Sequence, residues 1–326
     1  MSKVLGMGNA LVDILTQIDN DNLLQQLNLP KGSMQLVDSK IADDVLSATG
    51  NMKRHQASGG SAANTIHGLA SLGIGTGFLG KVGKDELGDF FKKDMQQHNI
   101  ATNLLESNTA SGKAIALISP DSERTFATHL GAAVELSEDD LTDELFKGYK
   151  YFYIEGYLVQ NKPLIRKAIE MAKKHNLLVS LDLASYNVVE DNLSFLKEII
   201  ASHVDIVFAN EEEAYAFTGK KGEHALDEIA QLCDIAVVKQ GKNGSLIKRF
   251  EETIRVGIIP AQSTDTTGAG DLYAAGFLYG LINNLHLEKC GQIGAILSGN
   301  VIEVVGPKMD NERWNKVKIA ISEVMN

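Results

Sequence analysis

The stretch Asp265-Thr266-Thr267-Gly268-Ala269-Gly270-Asp271 leads directly into the apolar run Leu272 to Ile282, a pattern typical of a buried helix that starts in a glycine-rich loop. Small residues at a helix start leave backbone N–H groups unpaired, at the positive end of the helix dipole. Such N–H groups bind anions. An ordinary helix start with an aspartate in its first turn is the alternative interpretation, and it remains open for this stretch alone.

The aspartate that follows the predicted anion loop, Asp271, indicates what kind of reaction the loop would serve. A carboxylate among anion-binding donors is useful when the anion is a phosphoryl group in transfer, because the carboxylate can accept the proton of the attacking hydroxyl. The stretch therefore indicates phosphoryl transfer with Asp271 as general base.

Composition limits the classes of protein to consider. The 326 residues are enough for one large α/β domain, and the net charge of −11 argues against broad attraction to nucleic acid or to an anionic membrane. The sequence shows no signal peptide pattern and no apolar run long enough to span a bilayer. Cys233 and Cys290 predict free buried thiols. We expect a cytoplasmic protein.

The N-terminal part predicts a strand followed by a small β-rich insertion. Gly6 and Gly8 suggest a dinucleotide-binding turn, but residues 11–18 alternate like a strand where that motif needs a helix. Asn9 and Asp13 then stand at a strand-to-strand junction, where they either bind substrate hydroxyls or serve turn formation. Strand-like segments at 14–18, 33–37 and 53–57 around a helix at 39–48 suit a lid.

A second glycine-rich motif, Gly59-Gly60-Ser61-Ala62-Ala63-Asn64, precedes a helix. Its glycines let a ligand approach the backbone, and Asn64 falls in the first helical turn. A turn built for tight helix packing explains the motif equally well.

The later chain alternates strands and helices. Strands at 76–82, 151–154, 177–181 and 205–209 are separated by helices at 84–98, 163–175 and 193–202, which predicts βαβ units and a parallel sheet. Two further strands, 114–119 and 124–129, would join the lid, and Arg124 at the start of the second is either a phosphate contact or simply solvated. We predict one α/β domain over residues 1–326, a doubly wound, mostly parallel sheet with helices on both faces, with a β-sheet lid formed by about 11–58 and 110–130.

Polar residues follow two of the later strands. Asn210 and Glu213 either hold Mg²⁺ through water or cap the next helix. Lys239, or the backbone of the glycine turn at Gly241 and Gly244, would face nucleotide phosphates, because ligands gather at the carboxyl ends of such strands.

The two glycine motifs, in this order and with Asn210 and Glu213 between them, resemble the signatures of the ribokinase-like (pfkB-type) carbohydrate and nucleoside kinases. The likeness covers nearly the whole chain. It implies a ribokinase-like doubly wound sheet with a β-sheet lid, and ATP-dependent phosphorylation of a primary hydroxyl on a sugar or nucleoside.

Carried over position by position, the resemblance implies the site residues. The implied base is Asp271, and the implied anion hole is the backbone of Gly268, Ala269, Gly270 and Asp271. The residues implied to hold ribose or sugar hydroxyls are Asn9, Asp13, Gly60 and Asn64. Those implied to contact phosphate or line the nucleotide are Arg124, Asn210, Lys239, Gly241 and Gly244. The implied metal ligands are Asn210 and Glu213 for Mg²⁺, and Asp265 with Thr267 for a monovalent cation such as K⁺.

The acceptor is less sharply defined. The motifs are most similar to the adenosine kinase branch, and Met34, Leu36 and Phe126 on lid strands would sandwich a purine, although lid packing explains them equally well. We rank adenosine or a related nucleoside first and ribose or fructose next, with a non-catalytic ligand-binding protein as a third alternative. Lid sheets of this family often pair between subunits, so a homodimer is expected.

Overall fold

The computed structural model describes residues 3–121 and 123–325. The strands are, in chain order, β1 (Lys3–Met7), β2 (Leu11–Gln17), β3 (Met34–Leu36), β4 (Arg54–Gly59), β5 (Gly75–Gly83), β6 (Ile100–Ser107), β7 (Gly112–Ile118), β8 (Arg124–His129), β9 (Tyr151–Glu155), β10 (Leu178–Asp182), β11 (Ile206–Asn210), β12 (Ile235–Lys239), β13 (Ser245–Arg249) and β14 (Glu252–Val256). The α-helices are α1 (Asn22–Gln26), α2 (Ser39–Ala48), α3 (Ser61–Ser71), α4 (Glu86–Gln97), α5 (Lys162–Lys174), α6 (Tyr186–His203), α7 (Glu211–Thr218), α8 (Gly222–Ala230), α9 (Ala269–Ile282), α10 (Leu287–Val301) and α11 (Asn311–Met325).

Nine of these strands form the larger sheet, in the order β14-β13-β12-β11-β10-β9-β1-β5-β6 within the described residues. All pairs from β12 to β6 are parallel, and the β13–β14 hairpin adds an antiparallel edge. The strand order reverses at β1, which pairs with β5 on one side and β9 on the other. Ligands of such sheets bind beyond the carboxyl ends of the strands at this reversal.

Alternating side chains of the larger sheet pack on opposite layers of helices. Tyr153 and Phe208 face the core formed with α3, α4, α9, α10 and α11, whereas Ile154 and Val207 face the core formed with α5, α6, α7 and α8. Strands buried on both faces read as continuous apolar runs, which explains why this part of the sequence was interpretable.

The smaller sheet has the strand order β3-β8-β7-β2-β4. Ile115 and Leu117 on one face pack against α1 and α2. Ala114 and Phe126 on the other face line the main cavity of the protein. The predicted fold class is therefore confirmed: a mostly parallel sheet between two helical layers, with a second, smaller sheet.

Several elements differ from the prediction. α1, β6 and α8 were not predicted, and α7 was expected only as the helix that Asn210 would cap. α6 starts at Tyr186, seven residues before the predicted start at residue 193. The cause in α6 is a kink at Asn192, where φ is −123° and the side-chain amide donates to the carbonyl of Val188. No helix within residues 3–121 and 123–325 is long and apolar enough to cross a bilayer.

Candidate active site

A cavity of about 1440 Å³ runs along the carboxyl edge of the larger sheet and under the smaller sheet. Its floor is lined by residues at or just beyond the carboxyl ends of β1, β9, β10, β11 and β12, namely Asn9, Glu155, Asp182, Asn210 and Lys239. The start of α9 forms one wall, and the smaller sheet covers one end. The sheet topology thus brings both glycine motifs to one cavity.

Asp271 lies in the first turn of α9, beside the first turn of α3. Ser61 Oγ donates to Asp271 Oδ1 at 2.7 Å, and Asn64 Nδ2 donates to Asp271 Oδ2 at 2.9 Å. Burial raises the pKa of Asp271 to about 6, against the lowering effect of these two hydrogen bonds. A carboxylate with this pKa is ionised at neutral pH and still basic enough to take a proton.

The anion loop precedes this turn, and Gly268 caps α9 with a φ of +77°. A Cβ on Gly268 would lie 2.6 Å from Cβ of Pro307, and one on Gly270 would lie 3.1 Å from Nζ of Lys239. Because the first N–H groups of a helix have no intrahelical acceptor, the loop offers donors to an anion. The Lys239 ammonium stands directly beside them.

Lys239 is held in place by Asp182, to which its Nζ donates at 2.9 Å. Burial lowers the pKa of Lys239, but Asp182 and Glu213 outweigh it and raise the pKa above the ordinary value. The ammonium is therefore charged at neutral pH.

The acceptor end of the cavity presents oxygen atoms that lack donors. Asn9 Oδ1 and Asn64 Oδ1 are buried and have no hydrogen-bond partner among the described residues. The Asp13 carboxylate lies against Gly59, where a Cβ would be 2.3 Å from its oxygens. Burial raises the pKa of Asp13 to about 7, although Lys308 acts to lower it. Unpaired buried acceptors are rare in native proteins, so these oxygens point to a ligand with several hydroxyl groups.

Gly60 brings the backbone close to these oxygens. Its φ is +96°, and a Cβ there would lie 2.3 Å from the carbonyl oxygen of Asn9. The backbone conformation at position 60 and the nearby carbonyl therefore require glycine, and Gly60 also lines the cavity.

Glu155, which the sequence analysis missed, ties this end together. Its Oε1 accepts from the N–H of Asn9 at 2.9 Å and from Asn9 Nδ2 at 2.7 Å, and its Oε2 accepts from the N–H of Ala62 at 2.9 Å. Burial raises its pKa to about 7 against these hydrogen bonds. One carboxylate thus fixes the β1–β2 junction to the start of α3.

Three more residues of the site were missed: Ser61, Asp182 and Lys308. Ser61 belongs to the glycine motif Gly59 to Asn64. Asp182 stands at the carboxyl end of β10, as Glu155 stands at the carboxyl end of β9. A polar residue that closes a buried parallel strand is the signal that identifies both. Lys308 Nζ lies 3.5 Å from Ser58 Oγ, and only the fold places it near Asp13.

Asn210 and Glu213 form a reciprocal cap at the start of α7. Asn210 Oδ1 accepts from the N–H of Glu213 at 2.9 Å, and the Glu213 carboxylate accepts from the N–H and Nδ2 of Asn210 at 2.8 and 2.6 Å. Burial raises the pKa of Glu213 to about 7, and Asp182 adds to the shift. The helix-cap interpretation is what the structure shows. Both residues also line the cavity, and their oxygen atoms are of the kind that suits hydrated Mg²⁺.

Asp265 is surrounded by donors. Its Oδ1 accepts from Thr267 N and Oγ1 at 3.0 and 2.8 Å, and its Oδ2 accepts from Gly306 N at 2.6 Å and from Arg124 Nη1 at 2.8 Å. A carboxylate satisfied by four donors does not fit a cation ligand, so geometry gives the predicted monovalent site no support.

Arg124 reaches from the smaller sheet to the anion loop through this contact. Its Nη2 is buried without a partner among the described residues. The predicted phosphate contact of Arg124 therefore has a free donor to act through.

Apolar side chains line the cavity under the smaller sheet, among them Met34, Leu36, Phe126, Val134, Leu136 and Leu158. Met34 is 53% exposed and Leu36 is 65% exposed, so neither is consumed by packing. Gly241 and Gly244 line the opposite end, together with Ile258 and Ser298. The cavity therefore has an apolar chamber at one end and a glycine turn at the other.

Comparison with known proteins defines the class. The chain matches the pfkB family of carbohydrate kinases over residues 35–313. The solved adenosine kinase of Sinorhizobium meliloti is 36% identical, with a TM-score of 0.87 over 98% of this chain and 99% of that one. A probable sugar kinase from Rhizobium etli is 34% identical, with a TM-score of 0.87 over 98% of each chain. The curated ATP-dependent 6-phosphofructokinase of Thermoanaerobacterium thermosaccharolyticum is 28% identical over 77% of this chain and 81% of its own length.

The fold, the two motifs at one cavity and these matches define a phosphotransferase. The chain belongs to the pfkB family of carbohydrate kinases. Kinases of this family use ATP, and its members phosphorylate sugars or nucleosides, so the predicted family and enzyme class are confirmed.

Proposed function

We propose that this protein transfers the γ-phosphoryl group of ATP to the primary hydroxyl of a nucleoside, adenosine or a related one. The observation that carries the proposal is the unpaired amide oxygens of Asn9 and Asn64, next to Asp271 and below an apolar chamber. A ribose offers hydroxyl donors to such oxygens, and a purine offers a flat apolar surface to such a chamber.

Asp271 is the proposed base. The acceptor hydroxyl would give its proton to the carboxylate while its oxygen attacks the γ-phosphorus of ATP, and the bond from that phosphorus to the bridging oxygen would break to release ADP. The transition state is loose, so positioning and charge stabilisation supply most of the rate. The groups proposed to stabilise the charge of the transferring group are the N–H groups of Gly268 to Asp271 and the Lys239 ammonium, which lies beside Gly270.

Mg²⁺ would neutralise charge on the nucleotide phosphates, and Asn210 and Glu213 are the residues proposed to hold its waters. The described residues contain no group of three or more His, Cys, Asp or Glu side chains that would hold a metal.

The smaller sheet is the proposed lid. Arg124 links it to Asp265 of the anion loop, so closure of the sheet would bring Nη2 of Arg124 toward the phosphates. Closure would also exclude water, the competing acceptor.

The edges of this sheet are β3 and β4, and an exposed edge is a pairing surface for a second subunit. Sedimentation at micromolar concentration tests the proposed dimer, and a monomer alone would contradict it.

A sugar kinase is the second candidate. The unpaired oxygens suit ribose or fructose as well as a nucleoside, and the exposure of Met34 and Leu36 leaves the chamber without a closed purine site. The names of the relatives divide in the same way.

The deciding experiment measures ADP release from ATP and Mg²⁺ with adenosine, inosine, ribose, fructose and fructose 6-phosphate, with and without K⁺. A response to a nucleoside supports the first candidate, and turnover only with a free sugar supports the second. Ligand binding without ADP release would favour a non-catalytic protein. Asp271→Asn is expected to lower kcat on the order of 10²-fold or more with little change in acceptor binding. Asp191→Asn, at an exposed carboxylate that also lines the cavity, is the matched control.

A further inference from the structure

We propose that Ser61 is a positioning residue for the base. Its hydroxyl donates to Asp271 Oδ1 at 2.7 Å and thereby fixes the orientation in which the carboxylate receives the acceptor proton. The inference rests on the proposed role of Asp271.

Ser61 is itself held rigidly. The N–H of its neighbour Ala62 donates to Glu155, which anchors the start of α3 from below. Thr65 Oγ1 donates to the backbone carbonyls of Ser61 and Asp271 at 3.3 and 3.2 Å, which ties the first turn of α3 to the first turn of α9. The hydroxyl of Ser61 therefore has a defined place relative to the carboxylate.

The two helices also approach closely further along. A Cβ on Gly68 would lie 2.8 Å from Cβ of Ala275, so glycine is what allows this distance. The Ser61 hydrogen bond is thus supported by a helix contact that does not involve the cavity.

Ser61 and Asn64 both donate a hydrogen bond to the Asp271 carboxylate, but they differ in what else they do. Asn64 donates its Nδ2 to Asp271 and keeps a buried Oδ1 unpaired at the acceptor end. An Asn64 variant would therefore lose both base orientation and acceptor binding. Ser61 also lines the cavity, but its side-chain hydrogen bond among the described residues goes to the base, so a Ser61 variant separates the two effects.

The charges around Asp271 decide the sign of the effect on its protonation. The groups that face it are the carboxyls of Asp13, Glu155 and Asp182, the phenols of Tyr153 and Tyr157, and the ammoniums of Lys239 and Lys308. Burial favours the neutral form of Asp271, whereas donors such as Ser61 favour the ionised form. Removal of the Ser61 hydroxyl therefore raises the pKa of Asp271.

The test compares Ser61→Ala, Ser61→Thr and Ser61→Cys with Ser71→Ala, a control at the other end of α3, using the best acceptor of the panel. For Ser61→Ala we expect kcat to fall about 10- to 100-fold, the size of a lost hydrogen bond to a charged group. The acceptor KM should stay within about twofold, and the acid limb of the kcat/KM profile should move to higher pH. Ser61→Thr keeps the hydroxyl and should restore both the rate and the profile.

Three results would overturn the inference. The first is a wild-type kcat and pH profile in Ser61→Ala while Asp271→Asn is inactive, which leaves the proposed function intact. The second is a lower kcat with an unshifted profile and no rescue by threonine, which indicates a merely structural role. The third is near-normal turnover in Asp271→Asn, which removes the proposed base and the inference together. If Ser61→Ala does not fold, Ser61→Cys, with a weakly donating thiol, carries the same comparison.

Discussion

Replacing Glu155 by glutamine should weaken acceptor binding and should also remove a loss of fold stability that the wild-type protein suffers as pH rises. The carboxylate accepts three N–H donors at 2.7 to 2.9 Å, two from Asn9 and one from Ala62. An amide has a single acceptor oxygen, and its NH₂ group must face at least one of these donors. Leaving a buried donor unpaired costs about 1–3 kcal/mol, so Asn9 or the start of α3 should shift.

The effect on stability follows from the pKa of Glu155. Burial raises it from the ordinary value of 4.5 to about 7. Because the folded-state pKa lies above the unfolded one, the folded protein loses stability as pH rises from 4.5 through 7. From about pH 5 to about pH 8.5 that loss is on the order of 2–3 kcal/mol. Glutamine carries no charge at either pH, so the variant does not suffer this loss.

The assay is denaturant unfolding at both pH values, followed by the fluorescence of Trp314, the single tryptophan of the chain, which is buried. The free energy of unfolding of the variant, relative to wild type, should rise by an amount on the order of 2–3 kcal/mol between about pH 5 and about pH 8.5. The acceptor kcat/KM should fall on the order of tenfold. The exposed Glu190→Gln on α6 is the control and should change neither quantity. A constant difference in stability between Glu155→Gln and wild type at the two pH values would refute the reasoning.

Three further changes test other parts of the site. Gly59→Ala places a Cβ 2.3 Å from the Asp13 carboxylate. The acceptor KM should therefore rise about tenfold or more while the ATP KM stays constant, and an acceptor KM equal to that of wild type would contradict this. Lys239→Met removes the ammonium beside the anion loop and should lower kcat on the order of 10²-fold or more, measured at saturating ATP; a loss under about threefold would count against an electrostatic role. Lys308→Met removes a cation that lowers the pKa of Asp13, so the carboxyl should stay protonated to higher pH. Acceptor affinity measured by calorimetry should then recover only as pH rises above about 7, and a pH dependence identical to that of wild type would contradict this.

The helical layers, the parallel sheet and the two glycine motifs could be predicted from the sequence because each is determined by residues that are close together in the chain. Apolar runs of strand and helix length gave the α/β alternation, and each glycine motif lies within seven residues. The contact between Asn64 and Asp271, 207 residues apart, shows that the motifs converge on one cavity. The kink at Asn192 was not predictable in the same way, since it depends on a side-chain bond inside the helix.

Glu155 shows why the contacts of the other site residues could not be predicted from the sequence. In the sequence it is the last residue of an apolar strand and has no motif around it. Its partner Asn9 is 146 residues away and Ala62 is 93 residues away. The role of such a residue follows from the strand order, which places β9 next to β1. The position of Glu155 at the end of a buried strand can be read from the sequence, but its partners become visible only when the topology is known.

The charges of the cavity also explain how a chain with a net charge of −11 accommodates an anionic nucleotide. Two cations beside the anion loop are already paired, Lys239 with Asp182 and Arg124 with Asp265. Because each pair carries little net charge, anion affinity at this site needs a further source. The N–H groups of the anion loop at the positive end of α9 supply it. Backbone donors hold a phosphoryl group without neutralising Asp271 in advance, so the base stays available as the charge on the acceptor develops.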